Sequence, residues 1–190
     1  MRWDSLFFDL ESQIYAERAL AGESEISERA RVEYAGVELT DRLRGAAGTE
    51  VRLVLIDGSA IRGGVGHVGS EWLVLAEGGR QWFVPYASVV SYQGLGRLAR
   101  KPASRTRLSL GIASALRVLA RDRAELMVHL AVRAEGGRTV QGVIDRVGRD
   151  YFDLAVIPQG EARRAGSVAT VMTIPFAAFI ALCSQGLQDY

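Results

Sequence analysis

Two stretches of sequence decide the fold: IRGGVGHVGSEWLVL at residues 61–75 and VQGVIDRVGRDYFDL at residues 140–154. At an offset of 79 residues two glycines, two β-branched residues, an acid, an aromatic residue and the final leucine coincide, beginning with Gly63 against Gly142. Self-similarity at a fixed spacing indicates a repeated supersecondary unit.

A second pair of stretches extends the similarity toward the C-terminus. VPYASVV at residues 84–90 matches IPFAAFI at residues 174–180 at an offset of 90. The larger offset predicts a longer loop in the second copy, at Pro158 to Val168, which is rich in Gly, Arg and Ala. Two matching blocks in the same order favour a duplication.

The pattern within each copy predicts short strands. Val51, Leu53 and Leu55 alternate with other residues, and Asp57-Gly58 is typical of a hairpin turn. Pro85 then interrupts the ladder of a fourth strand, since proline donates no hydrogen bond. Five bent strands in about 45 residues predict a small closed barrel, because closure removes the exposed edges of an isolated sheet.

A short helix precedes each predicted barrel. Thr40 is a candidate N-cap for a helix over Asp41 to Ala47, and apolar residues at helical spacing precede the second barrel. Those residues are Leu108, Ile112, Leu116 and Leu119. We therefore predict a mainly β fold with α: two tandem SH3/Sm-like five-stranded small barrels, each preceded by a short helix, plus an N-terminal helical segment. The predicted domains are the helical segment 1–36, the first barrel with its helix 37–96, a basic linker 97–107 and the second barrel with its helix 108–190.

Each copy resembles the Sm-like family, and the first is most similar to its bacterial RNA-chaperone branch. The resemblance lies in VRLVLIDG at residues 51–58, WLVL at 72–75 and YASVV at 86–90. It implies a small barrel. The branch has a Lys-His pair before its last strand, whereas this chain has Val84-Pro85 and Ile174-Pro175. The resemblance thus implies the fold without the family's nucleotide-binding residues.

Charge gives one candidate contact surface. The formal net charge is +1, and every basic residue except Lys101 is an arginine. Five basic residues without an acid lie in the predicted linker: Arg97, Arg100, Lys101, Arg105 and Arg107. They are candidates for contact with nucleic acid phosphates or an acidic partner. The alternative is a solvated linker balanced by neighbouring acids.

The N-terminal segment carries an apolar stripe at helical spacing. Its members are Trp3, Leu6, Phe7, Leu10 and Ile14. One interpretation is a helix that packs over a barrel and adds to the core. The other is a helix for a partner or for self-association. Acids on the opposite face argue against a membrane role.

The remaining reactive residues predict no catalytic, cofactor or metal site. His67 and His129 lack the neighbouring ligands of a zinc site. Cys183, the single cysteine, lies in the apolar run of residues 179–183, which favours a buried structural thiol in a reducing compartment. The acids of the first nine residues argue against a signal peptide, and no apolar run is long enough for a membrane helix. We therefore expect a cytoplasmic protein.

Two functional hypotheses remain open. The first is a non-enzymatic intracellular interaction or assembly module that binds a protein partner or forms a homo-oligomer. The second is an RNA- or DNA-binding regulatory protein that uses the basic linker and the barrel loops. The sequence indicates no small-molecule substrate.

Overall fold

A computed structural model describes residues 31, 34–101, 110–131, 138–157 and 170–184. The chain divides into two compact units, Met1–Glu38 and Leu39–Tyr190. In the first unit only residue 31 and residues 34–38 are described, and there Val37 N–H donates to Tyr34 O at 3.2 Å. The β-sheet belongs to the second unit.

The described part of the second unit holds two α-helices and ten β-strands. Helix α1 spans Leu39–Gly45 and helix α2 spans Ile112–Asp122. The strands are β1 Glu50–Leu55, β2 Ala60–Val68, β3 Trp72–Glu77, β4 Arg80–Pro85, β5 Val89–Gln93, β6 Glu125–Leu130, β7 Arg138–Val147, β8 Tyr151–Val156, β9 Thr170–Pro175 and β10 Phe179–Ser184. A 3-10 helix joins β4 to β5 at Tyr86–Ser88, and another joins β9 to β10 at Phe176–Ala178.

All ten strands belong to one open sheet. Their order is β5-β1-β2-β3-β4-β10-β6-β7-β8-β9, and every pairing between named strands is antiparallel. The halves β1–β5 and β6–β10 meet where β4 pairs with β10. Strands β5 and β9 form the two ends of the sheet.

The prediction of two closed five-stranded barrels is wrong. Closure of the first half would require β4 to pair with β5, but β4 pairs with β10. Because β10 occupies the edge of β4 that closure would otherwise protect, the first half has no need to close on itself. The sheet therefore supports neither an Sm-like or SH3-like small barrel nor a tandem repeat of such barrels.

In the described part of the second unit the hydrophobic core consists of two clusters, and each cluster includes residues from both halves. The first lies within β1–β4 and also takes in Ile180 and Ala181 of β10. The second lies within β6–β10 and takes in Trp72 of β3 and Phe83 of β4. The shared clusters make the β4–β10 junction part of the core, so the halves pack as one body.

Glycines permit sharp bends where the second strand of each half passes its neighbour. A Cβ atom on Gly63 would lie 2.5 Å from the carbonyl oxygen of Ala76, and one on Gly142 would meet the carbonyl oxygen of Ala155. Both contacts are too close for a real side chain, so only glycine lets the backbones approach this closely.

The two helices cover the two clusters. Leu43 of α1 is fully buried in the first cluster, and Leu116 of α2 is fully buried in the second. The start of α2 is tied to the first half, because Glu71 accepts from Ile112 N–H at 3.3 Å and Trp72 Nε1 donates to Leu110 O at 2.8 Å. Among the described residues, no helix has the length and apolar character needed to span a membrane.

Candidate functional site

The β4–β10 junction is the place where one half of the sheet receives the edge of the other. Leu182 lies opposite Phe83, and Cys183 lies opposite Trp82. Ser184 Oγ accepts from Gln81 N–H at 2.9 Å and extends the pairing by one residue. The junction therefore combines strand pairing with side-chain hydrogen bonding.

Aromatic side chains pack against one another across one face of the junction. Trp72 and Phe83 stack with ring centroids 4.9 Å apart, and Phe83 faces Phe179 at 6.4 Å. Phe152 meets Phe179 edge-on at 5.6 Å. Since such ring pairs stabilise beyond the area they bury, this cluster explains why β10 lies against β4.

The two outer edges of the sheet are the first candidate interaction surface. No described strand pairs with the outer side of β5 or of β9. Val90 of β5 is 66% exposed and Val171 of β9 is 55% exposed. An unpaired strand edge is a template for pairing with another chain, so these edges suit strand addition.

The hydrogen-bond pattern shows which groups β9 presents outward. Phe176 N–H donates to Asp150 O at 2.8 Å, which fixes the alternation of bonded and non-bonded pairs between β8 and β9. By that alternation, Val171 and Thr173 direct their N–H and C=O groups away from β8. β9 thus offers regularly spaced donors and acceptors, and its register with β8 contains no bulge.

The basic residues predicted from the sequence are only partly described. Arg97, Arg100 and Lys101 are exposed, whereas Arg105 and Arg107 lie outside the described residues. Arg100 and Lys101 line a groove of about 510 Å³ together with Arg44 and His67. The structure therefore brings two of the five residues together. Contact with nucleic acid remains a prediction.

The predicted partner helix falls within the N-terminal residues of the chain. Its residues Trp3, Leu6, Phe7, Leu10 and Ile14 all lie outside the described part of the chain. The two interpretations of its apolar stripe, packing over the core and binding a partner, both remain predictions.

The reactive side chains are held in apolar surroundings. Cys183 is a free, buried thiol, as its apolar run predicts, and burial raises its pKa. Burial lowers the pKa of His129, whose ring lies 5.1 Å from that of Trp82, while the Asp57 carboxylate opposes the shift. Burial also raises the pKa of Tyr92 to about 12. Each shift favours the neutral form.

Within the described ranges, no three His, Cys, Asp or Glu side chains lie close enough together to hold a metal ion.

The structure contains an apolar cavity of about 270 Å³ beside α2 that the sequence analysis did not predict. Its walls come mainly from β3, β4, α2 and β10, with one residue each from β2 and β6, and no local pattern indicates that these elements meet.

Comparison with known proteins gives no family for the chain. No protein-family model matches it, and no curated protein matches it at a significant level. The resemblance to the Sm-like family thus gains no support from relatives, and the open sheet contradicts the barrel that it implies.

Proposed function

We propose that the protein is a non-enzymatic assembly module in which copies of the chain join edge to edge, with β9 of one copy pairing with β5 of the next. The observation that carries this proposal is the β4–β10 pairing within the chain. In the strand order, β4 is the last strand of the first half and β9 is the last strand of the second half. In the same way, β5 is the first strand of the first half and β10 is the first strand of the second half. Pairing between copies would repeat a contact that the chain already makes.

The internal junction gives the register between copies. Phe83 lies opposite Leu182 and Trp82 lies opposite Cys183. The corresponding pairs between copies are Thr173 with Tyr92 and Met172 with Gln93. Because Thr173 points its backbone groups outward, its pair is hydrogen-bonded and the Met172–Gln93 pair is not.

The association is expected to be reversible. The face of β8–β9 that would adjoin the next copy carries Asp153 and Thr173, joined by a hydrogen bond of 2.7 Å. The internal junction instead buries Trp72 and Phe83. A contact with fewer apolar side chains is weaker, and head-to-tail pairing gives a ring where the rotation closes and a filament where it does not.

A cytoplasmic location is part of the proposal. The buried free thiol of Cys183 suits a reducing compartment, where thiols persist.

Disulfide trapping tests the register directly. Gln93→Cys and Met172→Cys are combined in a Cys183→Ala background, because Cβ atoms in a non-hydrogen-bonded antiparallel pair approach closely enough for a disulfide. Mild oxidation is expected to give a ladder of dimers and higher species on a non-reducing gel. The matched control pairs Gln93→Cys with Arg121→Cys, an exposed position on α2, and is expected to stay monomeric.

A backbone variant supplies the second arm of the test. Thr173→Pro removes an outward N–H group and the side-chain hydrogen bond to Asp153, but no backbone hydrogen bond to β8. It should therefore abolish the association while the circular dichroism spectrum is retained. Light scattering of the unmodified chain should show a mass above 20.7 kDa that rises with concentration. A constant monomer mass together with no trapped ladder would overturn the proposal.

A further inference from the structure

The apolar cavity beside α2 has the size and walls of a small-molecule site. It measures about 270 Å³, and its apolar walls include Trp72, Phe83, Leu119 and Leu182. Among the described residues, no acid, lysine or arginine lines it. An apolar cavity of roughly 150 Å³ is enough to take up benzene, so this one accommodates a larger apolar group.

Two apolar side chains that line the cavity are exposed to solvent. Val118 of α2 lines it and is 64% exposed, and Leu110 lines it as well and is 46% exposed. Because both keep apolar surface in water beside an apolar space, an apolar ligand that covers them gains burial.

A basic groove adjoins the cavity. The two spaces share three lining residues, His67, Trp72 and Leu110. The groove adds Arg100 and Lys101, and within the described ranges neither of these side chains forms an ion pair.

The neighbouring charges of the groove are already engaged. Arg44 holds Asp41 at 2.9 Å, and the Glu71 carboxylate accepts from the first N–H group of α2. The Glu71 carboxylate keeps its negative charge, but Arg100 and Lys101 together outnumber it, so the net charge beside the groove is positive. No described acid, lysine or arginine lines the cavity.

From this juxtaposition we infer a binding site for a small amphipathic anion, with its apolar body in the cavity beside α2 and its anionic group at Arg100 and Lys101. The apolar body gains from leaving water, and the two cations attract a carboxylate, sulfonate or phosphate into the adjoining groove. The site lies within one copy of the chain and does not depend on self-association.

Two matched fluorescent probes test the site on the full chain. 8-Anilinonaphthalene-1-sulfonate carries one anionic group, and N-phenyl-1-naphthylamine has the same aromatic body without it. Both should bind with saturation at one site per chain. The sulfonate should bind about fivefold tighter at low salt, as expected for two exposed charge contacts, and that advantage should shrink as salt is added.

Variants separate the two parts of the site. Ala115→Phe fills the cavity and should weaken both probes at least about tenfold, since it removes the space for the aromatic body. Arg121→Phe places the same side chain on the solvent face of α2 and should change neither affinity. Arg100→Ala with Lys101→Ala should reduce the affinity for the sulfonate to that for the neutral probe and leave the neutral probe unchanged.

Circular dichroism controls for folding, and Ser114→Leu replaces Ala115→Phe where that variant fails to fold. Unchanged affinity for both probes in the folded cavity-filling variant would overturn the inference. Equal loss of both probes in the Arg100→Ala, Lys101→Ala variant would also contradict it, because the cations would then have no specific role toward the anion.

Discussion

Strands β5 and β10 hold matching positions in the two halves of the sheet but lie in opposite environments. Each follows a 3-10 helix, and each pairs with the first strand of its half across a register shift. At that shift Val90 of β5 is 66% exposed, whereas Ile180 of β10 is 1% exposed. The difference arises because β10 has β4 on its other side and β5 has no described neighbour there.

The hairpins β3–β4 and β8–β9 differ in the same way. Phe83 lies opposite Val74 and is buried, whereas Thr173 lies opposite Asp153 and is exposed. Apolar side chains thus mark the hairpin that the other half covers, and polar side chains mark the hairpin at the end of the sheet. The side chains on one strand face decide whether an edge is joined permanently or left open.

The largest expected effect is the difference in unfolding free energy between a substitution in β4 and a substitution at the matching position of β9. Phe83→Ala should lower the free energy of unfolding by about 3–5 kcal/mol, because it leaves a cavity beside Trp72 and Phe179. Thr173→Ala, at the matching position, should cost no more than about 1 kcal/mol through its lost hydrogen bond to Asp153. Urea unfolding at low protein concentration measures both. Equal costs would show that the junction is no more part of the core than the open hairpin.

The sequence predicts local structure better than it predicts how the strands join. The alternation of Val51, Leu53 and Leu55 and the Asp57-Gly58 turn appear in the structure, with the three apolar side chains buried and Gly58 at a φ of 84°. The short helix predicted over Asp41 to Ala47 is also present, but it spans Leu39–Gly45, so Thr40 lies inside its first turn and is not the residue that precedes it. Local signals of this kind depend on residues close in sequence, so a single chain reveals them.

Closure and edge pairing depend on residues far apart in sequence. A strand edge consists of backbone groups that every sequence shares, so its partner is not encoded locally. One signal was present: FIALC at residues 179–183 is apolar at every position, which is typical of a strand buried on both faces. The matching residues 89–93, VVSYQ, lack that character. The sequence predicted Arg100 and Lys101 as contact residues but not the groove that they line. The cavity beside the groove is formed by contacts between residues far apart in sequence.

A second pair of variants sharpens the comparison between β5 and β10. Ile180→Ala removes a fully packed side chain and should cost about 2–4 kcal/mol of unfolding free energy. Val90→Ala removes an exposed one and should change stability by less than about 0.5 kcal/mol. Thermal unfolding of both variants beside the unmodified chain measures the difference. At a protein concentration where light scattering shows a monomer, a cost for Val90→Ala close to that for Ile180→Ala would mean that the edge of β5 is covered within a single copy.

The smallest effect concerns pH and the first strands of the two halves. Val54 of β1 lies opposite Ser91, and His129 of β6 lies opposite Ala181 in the matching place. Burial lowers the pKa of His129, so as the pH falls below about 6.5 the unfolded chain binds a proton before the folded protein does. The free energy of unfolding therefore decreases as the pH falls through this range.

Replacing His129 with the residue of the matching strand removes that contribution. In His129→Val the slope of the unfolding free energy against pH, between about pH 5 and pH 7, should be shallower than in the unmodified chain. Urea unfolding at several pH values measures both slopes, and pH 8, where the imidazole is neutral in both states, gives the reference. Parallel slopes would mean either that His129 is as well solvated in the folded protein as in the unfolded chain or that the Asp57 carboxylate fully offsets its burial.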